Sequence, residues 1–369
     1  MCADEAPGFL SNIEGQLQYD DNVYRTAASE VADSAFIVKP TLGWLGLYRA
    51  HEFHLVYKGD YASYFDEDNL NYYRHHLSTQ AKLDHSSRLK SEFNFAHRRG
   101  SEQPNSRDTL YVPGTKVNKW RSELATAKFE YGAKSSRGQL EGQLTYRKYR
   151  YTNNQQEFRD YDGLGGTGIF YYRVAPRTRL LLQVDYQDYD YHRYDIYGGN
   201  QSGEQQRYLT GATWEATAKT SGVFKIGYRE RSYDDRRFGK RDGLSVDLDG
   251  TWRPNDFTKI SFGASKEDQE SAQQGGGGFV ETGINIGVER AVTPRTRVAA
   301  STRYTQNEFN SFISRSDDEW RFEISVERSL LHWLDVGLIY RYEERQSNLE
   351  LFDYSANVIL GTISTSFER

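Results

Sequence analysis

Two adjacent histidines, His75 and His76 in NYYRHH, are the residues whose chemistry most suggests a metal site. The segment around them has a strand pattern, and neighbouring side chains in a strand point to opposite faces. Two imidazoles on opposite faces cannot readily bind one zinc ion together. We therefore expect no metal here, but histidines that lie at a surface or in an interfacial ring.

Three other polar segments could bind an ion or a phosphate. They are DEDN at 66–69, the DD of YDDN at 19–22, and the glycine-rich EDQESAQQGGGG at 267–278. The acidic runs lack EF-hand spacing, and the glycine-rich run lacks the Lys-Ser/Thr of a phosphate-binding loop. The sequence also has no H-E-x-x-H, C-x-x-C or G-x-S-x-G motif. We expect these segments to be solvated loops, and we expect the protein to have no cofactor and no enzymatic activity. The alternative is an enzyme whose site, a histidine with a carboxylate or a serine, lies at the rim of the fold.

The composition describes an ordered chain built from few apolar residues. Its 369 residues include 28 Tyr and 19 Phe but only 7 Pro, one Cys and one Met, and the mean hydropathy is −0.81. Aromatic residues at 14 % argue against disorder. The net charge of −5 is small and the signs are interspersed, which argues against nucleic acid as a partner. No stretch approaches the ~20 apolar residues of a spanning helix, so a helical membrane protein is excluded.

The first residues, MCADEAPGFL, have neither the basic nor the apolar region of a secretory signal. If the protein is exported, we expect a mature form with an added Met1. Cys2 is then the acylated first residue of a lipoprotein, an added residue or an ordinary one. A single cysteine cannot form an internal disulfide.

Alternation with a period of two dominates the sequence. Residues 244–252 place Leu, Val, Leu, Gly and Trp on one face of a strand and Ser, Asp, Asp and Thr on the other, and 280–289, 297–304 and 320–327 repeat this division. A soluble carbohydrate-binding sandwich would also alternate. However, these runs last about ten to fifteen residues, which suits strands that cross a bilayer at a tilt better than ordinary strands of about five or six.

Short turns alternate with long polar loops along the chain, and this predicts the topology. The short turns include DHSSR at 84–88, AKSSR at 133–137, VAPRTR at 174–179 and VTPRTR at 292–297. The long loops include 99–119, 198–206, 232–243 and 267–278. We predict an N-terminal tail at 1–11 and one all-β domain at 12–369, a transmembrane antiparallel up-and-down β-barrel of about eighteen strands, with sixteen as the alternative. Parity changes near Leu124 and at Val358–Leu360 suggest bulges or contacts with a loop inside the lumen.

The segment LLLQVDYQDYDYHRYDIYGG at 180–199 shows how one such strand leaves the membrane. Leu180, Leu182, Val184 and Tyr186 are predicted to face lipid. We expect Tyr189 and Tyr191 at the outer interface, with their hydroxyls among the lipid headgroups. His192 to Gly199 then begin an extracellular loop.

A barrel of this width cannot be filled by its own side chains, so the lumen must contain water. The loop at 99–119 is the one that could fold inward as a constriction. The predicted lining residues carry both signs of charge, which fits a neutral or weakly charged polar solute such as a sugar chain. A lumen that is merely wet explains the same residues equally well. They are Gln143, Arg147, Asp185, Lys225, Arg229, Asp247, Asp249, Glu281, Asn285, Glu289, Arg303, Glu323, Glu327, Asp335 and Arg341.

Four segments carry a family resemblance: YDDNVYRT at 19–26, residues 163–191, residues 209–235, and SVDLDGTWRPND at 245–256. Together they resemble the outer-membrane β-barrel porins of type 2, which are encoded among exopolysaccharide and capsule export genes. The resemblance implies a barrel of about eighteen strands in the bacterial outer membrane. It also implies export of a secreted polysaccharide of the capsule or biofilm matrix, with a periplasmic polysaccharide export protein as partner. The family has no catalytic motif to carry over.

The sequence hypothesis is therefore an outer-membrane conduit for a polysaccharide. Its expected contacts are the polysaccharide, the periplasmic export protein, and outer-membrane lipid with lipopolysaccharide. The alternative is a general or substrate-specific diffusion porin for small polar solutes.

Overall fold

The computed structural model describes residues 7–105, 114–217, 219–272, 275–309 and 314–368. Within them, eighteen antiparallel strands pair in chain order, and the first strand also pairs with the last, which closes the sheet into a barrel. This confirms the predicted fold and the count of eighteen. The strands are β1 (Gly8–Asp20), β2 (Asp33–Tyr48), β3 (His51–Tyr64), β4 (Tyr72–Asp84), β5 (Leu89–Ser101), β6 (Lys119–Tyr131), β7 (Gly138–Tyr151), β8 (Tyr161–Ala175), β9 (Thr178–Tyr191), β10 (Gly203–Thr217), β11 (Thr220–Tyr233), β12 (Lys240–Asn255), β13 (Thr258–Gln269), β14 (Phe279–Thr293), β15 (Thr296–Phe309), β16 (Arg315–Leu331), β17 (Leu334–Ser347) and β18 (Tyr354–Glu368).

Alternation gives the barrel an apolar outer face. On β9, Leu180, Leu182 and Val184 are exposed, whereas Leu181 and Gln183 between them are buried. The same exposed ladder recurs around the sheet, for example at Leu140 and Leu144 on β7. Such a continuous apolar surface is stable only in contact with lipid, and closure of the sheet leaves no unpaired edge within the membrane.

Connections differ at the two ends of the barrel. Of the seventeen links between these strands, eight are short turns and nine are long loops, and the two kinds alternate. Four of the long loops contain a 3₁₀ turn: Asp68–Leu70, Glu157–Arg159, Arg236–Phe238 and Glu350–Phe352. In bacterial barrels the long loops are extracellular and the short turns periplasmic. No helix in the described part of the chain is long and apolar enough to span a membrane.

The first strand begins at Gly8, four residues earlier than predicted, and it ends at Asp20. Phe9 starts the outer ladder because it lies directly opposite Trp44 of β2. The strand stops where the Asn22 side chain donates hydrogen bonds to the carbonyls of Thr26 and Ser355, at 2.9 Å each. The predicted tail of 1–11 is therefore too long, and Cys2 lies outside the described residues.

The suspected bulge near Leu124 is absent from the described pairing, because β6 keeps one register with both β5 and β7. Leu124 simply points into the barrel, opposite in parity to Ala125 and Phe129. Val358 of β18 also points inward and is 1 % exposed, and it lines a small cavity together with the loop residues Val23 and Arg25. The loops thus lie close to Val358 in the lumen, in agreement with the expectation.

Candidate functional site: the channel interior and its loop-covered mouth

All fifteen residues predicted to line the lumen lie on the face of the sheet opposite the exposed apolar ladder. Cross-strand pairs show this directly, since Lys225 lies opposite Asp247, and Asn285 lies opposite Arg303. Their strands are β7, β9, β11, β12 and β14 to β17. Whether these residues form the path of a polysaccharide stays a prediction.

Interior charges of opposite sign neutralise one another across neighbouring strands. Arg207 of β10 lies 2.9 Å from the Asp185 carboxylate and 3.6 Å from that of Asp247. Asp185 also accepts hydrogen bonds of 2.8 Å from Thr167 and Gln183. Sequence reasoning missed Arg207, although its place opposite Asp185 on the next strand is a signal that a strand alignment would reveal.

The wall formed by β14 to β17 follows the same rule. Arg303 lies 3.4 Å from Glu281, and Arg341 donates a 2.9 Å hydrogen bond to Glu323. Paired charges give a polar wall with a weak net field, unlike the single-sign rings of a strongly ion-selective pore. The interior therefore suits solutes that form many hydrogen bonds.

A row of two cations with a histidine between them, on β3 to β5, was also missed. Lys58 lies directly opposite His76, and His76 directly opposite Arg98. The three form no ion pair with a carboxylate within the described residues. His75 points to the outer face as expected, where its Nδ1 lies 2.9 Å from the Tyr57 hydroxyl. Tyrosines and histidines occur on both faces of these strands, so the sequence of this region does not show a clear apolar and polar alternation.

An arc of aromatic rings follows the interior wall near the long-loop end. Trp120 stacks on Tyr149 with ring centroids 5.1 Å apart, and Tyr149 stacks on Tyr161 at 5.8 Å. Tyr161 in turn contacts Tyr189 at 5.6 Å and Tyr191 at 5.2 Å. We call these five residues the aromatic arc.

The arc corrects the prediction for Tyr189 and Tyr191, which do not lie at the lipid interface. They share the parity of Asp185 and so face the interior, while Asp188 and Asp190 occupy the outer face. The guanidinium of the fully buried Arg231 lies over the Tyr189 ring, 4.7 Å from its centroid. Because β9 continues without a bulge to Tyr191, the alternation of its side chains places both tyrosines on the interior face.

Long loops fold into the mouth and cross it. Asn105, in the loop between β5 and β6, donates hydrogen bonds to the Tyr24 carbonyl at 3.1 Å and the Arg25 carbonyl at 2.8 Å. Its own carbonyl accepts a 2.9 Å bond from Arg345. Arg345 lies on β17, six strands away from β5 by way of β4, β3, β2, β1 and β18. The loop predicted to fold inward does so up to Asn105, and its residues 106–113 lie outside the described part.

Charged and apolar contacts fix this layer to the wall. Arg25 lies 2.9 Å from Asp20 and 3.1 Å from Glu343 of β17. Val23 and Tyr24 are buried in one apolar cluster with Leu70 and Val117. The cavity beside them measures about 50 Å³, small next to the 300–1,000 Å³ of ordinary ligand pockets. We call the layer formed by residues 22–25 and Asn105 the mouth layer.

The loop that carries Asn105 is held at its base by Glu102. The Glu102 carboxylate accepts bonds from Arg159 at 2.8 and 3.1 Å, from Tyr151 at 2.6 Å and from Asn118 at 2.9 Å. Burial alone would raise the pKa of this carboxyl group. The Arg159 charge and the hydrogen bonds outweigh burial and lower the pKa below its ordinary value.

A second group of loops meets above β11 to β14. The buried Gln201 donates hydrogen bonds to the carbonyls of Ser271 at 3.2 Å and Gly276 at 3.0 Å. Arg231 donates to the Gln201 carbonyl at 2.8 Å and lies 3.2 Å from Glu270. The glycine-rich segment at 267–278 therefore takes part in this contact between loops. Its residues 273–274 lie outside the described part of the chain. No group of three or more metal-ligating side chains occurs in the described part of the chain.

The closed barrel, its apolar outer band and its polar interior define an outer-membrane β-barrel of the porin-like transporter class. The chain belongs to the family described as "Putative beta-barrel porin 2", whose model matches residues 9–366. The protein is accordingly located in the outer membrane.

Solved structures share the fold at low sequence identity. OccK1 (OpdK) of Pseudomonas aeruginosa is 12 % identical with a TM-score of 0.50, over 97 % of this chain and 99 % of that one. A mutant of the ferric enterobactin receptor PfeA of the same organism is 7 % identical with a TM-score of 0.50, over 98 % and 81 % of the two chains. The search of curated proteins gave no match.

Proposed function

We propose that this barrel is the outer-membrane conduit for a secreted polysaccharide. The observation that carries the proposal is the aromatic arc, which lies on the interior wall among paired charges. The apolar C–H faces of a sugar ring pack against aromatic side chains, and sugar hydroxyls exchange hydrogen bonds with carboxylate, amide and guanidinium groups. A wall that offers both kinds of contact in succession suits a chain of sugars that moves past it.

Export through this channel requires the mouth layer to move. The layer crosses the interior at the extracellular end, and Asn105, Arg25 and Arg345 hold it in place. An advancing polymer would displace these contacts, and no catalytic step is needed. We further propose that the short turns at the opposite rim meet a periplasmic polysaccharide export protein, since short links leave that opening uncovered.

The second candidate is a diffusion porin for small anionic solutes. The row Lys58, His76 and Arg98 favours it, because the charges of Lys58 and Arg98 on either side of His76 attract small anions to the interior wall. The same row would also contact the acidic sugars of a charged polysaccharide. Experiment must therefore separate the two functions.

Deletion of the coding gene provides the first test. We expect the deletion strain to lose secreted polysaccharide while its uptake of small carboxylic acids is unchanged. The opposite result, normal secretion with reduced uptake, would favour the diffusion porin.

Channel recording with purified protein provides the second test. Oligosaccharides from the strain's own matrix should block the current of the native channel, and Tyr149→Ala should weaken this block about tenfold. The matched control is Tyr146→Ala, because Tyr146 lies three residues away on the same strand but on the exposed outer face. Equal block of both variants and the native channel would show that the aromatic arc does not contact sugar.

A further inference from the structure

Three arginines lie side by side on the outer face, at the extracellular end of the barrel. Arg99 of β5 lies directly opposite Arg121 of β6, and Arg121 directly opposite Arg150 of β7. Directly opposed residues on neighbouring strands are only about 5 Å apart, and like charges in such positions destabilise a sheet. We call these three residues the arginine row.

Only one member of the row has a carboxylate partner in the described structure. Arg150 lies 2.9 Å from Asp162 and donates to the carbonyls of Tyr149 and Tyr161 at 2.8 and 2.7 Å. Arg99 and Arg121 are exposed and make no ion pair within the described residues. The barrel therefore presents two unneutralised guanidinium groups, with a third held in place beside them.

From β9 onward, the outer rim carries mainly the opposite charge. At the extracellular ends of the strands from β9 onward, the outward-facing positions carry carboxylates. They are Asp188, Asp190, Glu204, Glu230, Asp242, Glu308, Asp318 and Glu344. Lys240 and Lys266 also face outward among these carboxylates, and Lys240 is paired with Glu230 at 2.8 Å. Within the described strands, a row of adjacent arginines therefore lies on one side of this rim, which argues for a local ligand and against a general attraction to the membrane surface.

An apolar groove lies directly below the arginine row on the same strands. Small side chains at Ala81, Ala125 and Ala127 form its floor, and larger ones, including Phe93 and Phe95, form its walls. The groove encloses about 680 Å³. It faces the hydrocarbon region, so its natural occupants are acyl chains.

The spacing between the groove and the row matches the anatomy of a lipid. Arg99 lies four residues beyond Phe95 on β5, which at about 3.3 Å per residue and a tilt of about 40° corresponds to roughly 10 Å along the membrane normal. A group at that height above the acyl chains is a headgroup phosphate. Arginine is well suited to bind it, because its guanidinium donates two parallel hydrogen bonds to phosphate oxygens.

We propose that the outer face of β4 to β7 binds the lipid A part of lipopolysaccharide, with a phosphate on the arginine row and acyl chains in the groove. The long loops direct this end of the barrel towards the outer leaflet, where lipid A is the phosphate-bearing lipid. The site depends on the location of the barrel and not on what the channel transports.

The test is binding of purified lipopolysaccharide to the folded barrel in detergent, followed by native mass spectrometry. We expect the double variant Arg99→Gln/Arg121→Gln to lower the affinity at least tenfold. Enzymatic removal of the lipid A phosphates should lower the affinity of the native protein to a similar extent. Phosphatidylglycerol should bind more weakly than lipopolysaccharide, since its two chains fill less of the groove.

The matched control is Arg290→Gln/Arg328→Gln, two outward-facing arginines at the periplasmic ends of β14 and β16. This variant should bind lipopolysaccharide like the native protein. Heat-modifiable migration on gels shows that each variant is folded. Unchanged affinity in Arg99→Gln/Arg121→Gln, an equal loss in the control, or unchanged binding of dephosphorylated lipid would each overturn the proposal.

Discussion

Asn105 provides the sharpest test of the mouth layer, because its side chain connects the β5–β6 loop to the β1–β2 loop. The change is Asn105→Gly. Asn105 has a φ of +48°, in the left-handed region where glycine is also at ease, so the backbone can keep its conformation. The variant loses the hydrogen bonds from the side chain to the Tyr24 and Arg25 carbonyls.

The structure sets the size of the effect. Each of the two lost hydrogen bonds contributes about 1 kcal/mol net, so the closed arrangement is destabilised by about 2 kcal/mol. Since each 1.4 kcal/mol changes an equilibrium tenfold, the ratio of open to closed channels should rise roughly thirtyfold. Single-channel recording in planar bilayers measures this ratio as the time spent at the higher conductance level.

Asn154→Gly is the matched control in the neighbouring loop. Asn154 also has a positive φ, +59°, and its side chain also donates two hydrogen bonds, to the Lys116 carbonyl at 2.7 Å and the Asn118 side chain at 2.8 Å. Its contacts lie on the exposed rim and do not cross the channel. We expect native gating in this variant. If Asn105→Gly gates like the native channel, or if both variants open equally, the mouth layer is not what closes the pore.

Two further predictions concern charge in the loops and strand ends. The pKa of Glu102 is lower in the folded protein than in the unfolded chain, so its ion pair with Arg159 stabilises the loop fully above the unfolded pKa of about 4.3. This stabilisation is lost as the pH falls through the lower folded pKa. The open probability of the channel should therefore rise on acidification below about pH 4, and it should rise less in Glu102→Gln. Asp317→Asn should lower the free energy of unfolding by about 3–5 kcal/mol, because it replaces the carboxylate that neutralises the buried Arg315 with a neutral amide. The midpoint of urea unfolding measures this loss. The control is Asp318→Asn, a change at an outward-facing neighbour, which should shift the midpoint little. Equal midpoints for the two variants would contradict the role of the buried Arg315–Asp317 pair.

Sequence patterns predicted the barrel well because a strand between lipid and water must alternate. The pattern in residues 244–252 assigns each side chain to a face, and tight turns fix where each strand reverses. The interior positions of β7 to β17 followed from the same parity. The boundaries were less secure, as the early start of β1 at Gly8 shows, because the pairing of Gly8 and Phe9 with Leu45 and Trp44 of β2 decides where the strand begins, and the alternation pattern alone does not reveal that register.

The interior contacts near the mouth could not be read from sequence for a different reason. Asn105, Arg25 and Arg345 are ordinary polar residues in their local segments, and their contact joins residues up to 240 positions apart. Tyr189 and Tyr191 were misplaced because an interfacial ring and an interior arc use the same residue type. Only the continuous register of β9 separates the two.

The contacts of the β1–β2 loop also determine when the channel can be sealed during biogenesis. Asn22 binds the Ser355 carbonyl, Asp21 accepts from Asn357 at 2.7 Å, and Arg25 pairs with Glu343, so the loop near the start of the chain rests on the last two strands. These contacts span more than 300 residues, and such distant pairings form late in folding. A barrel whose first and last strands have not yet met therefore lacks its seal, and tightness to ions would report that insertion is complete.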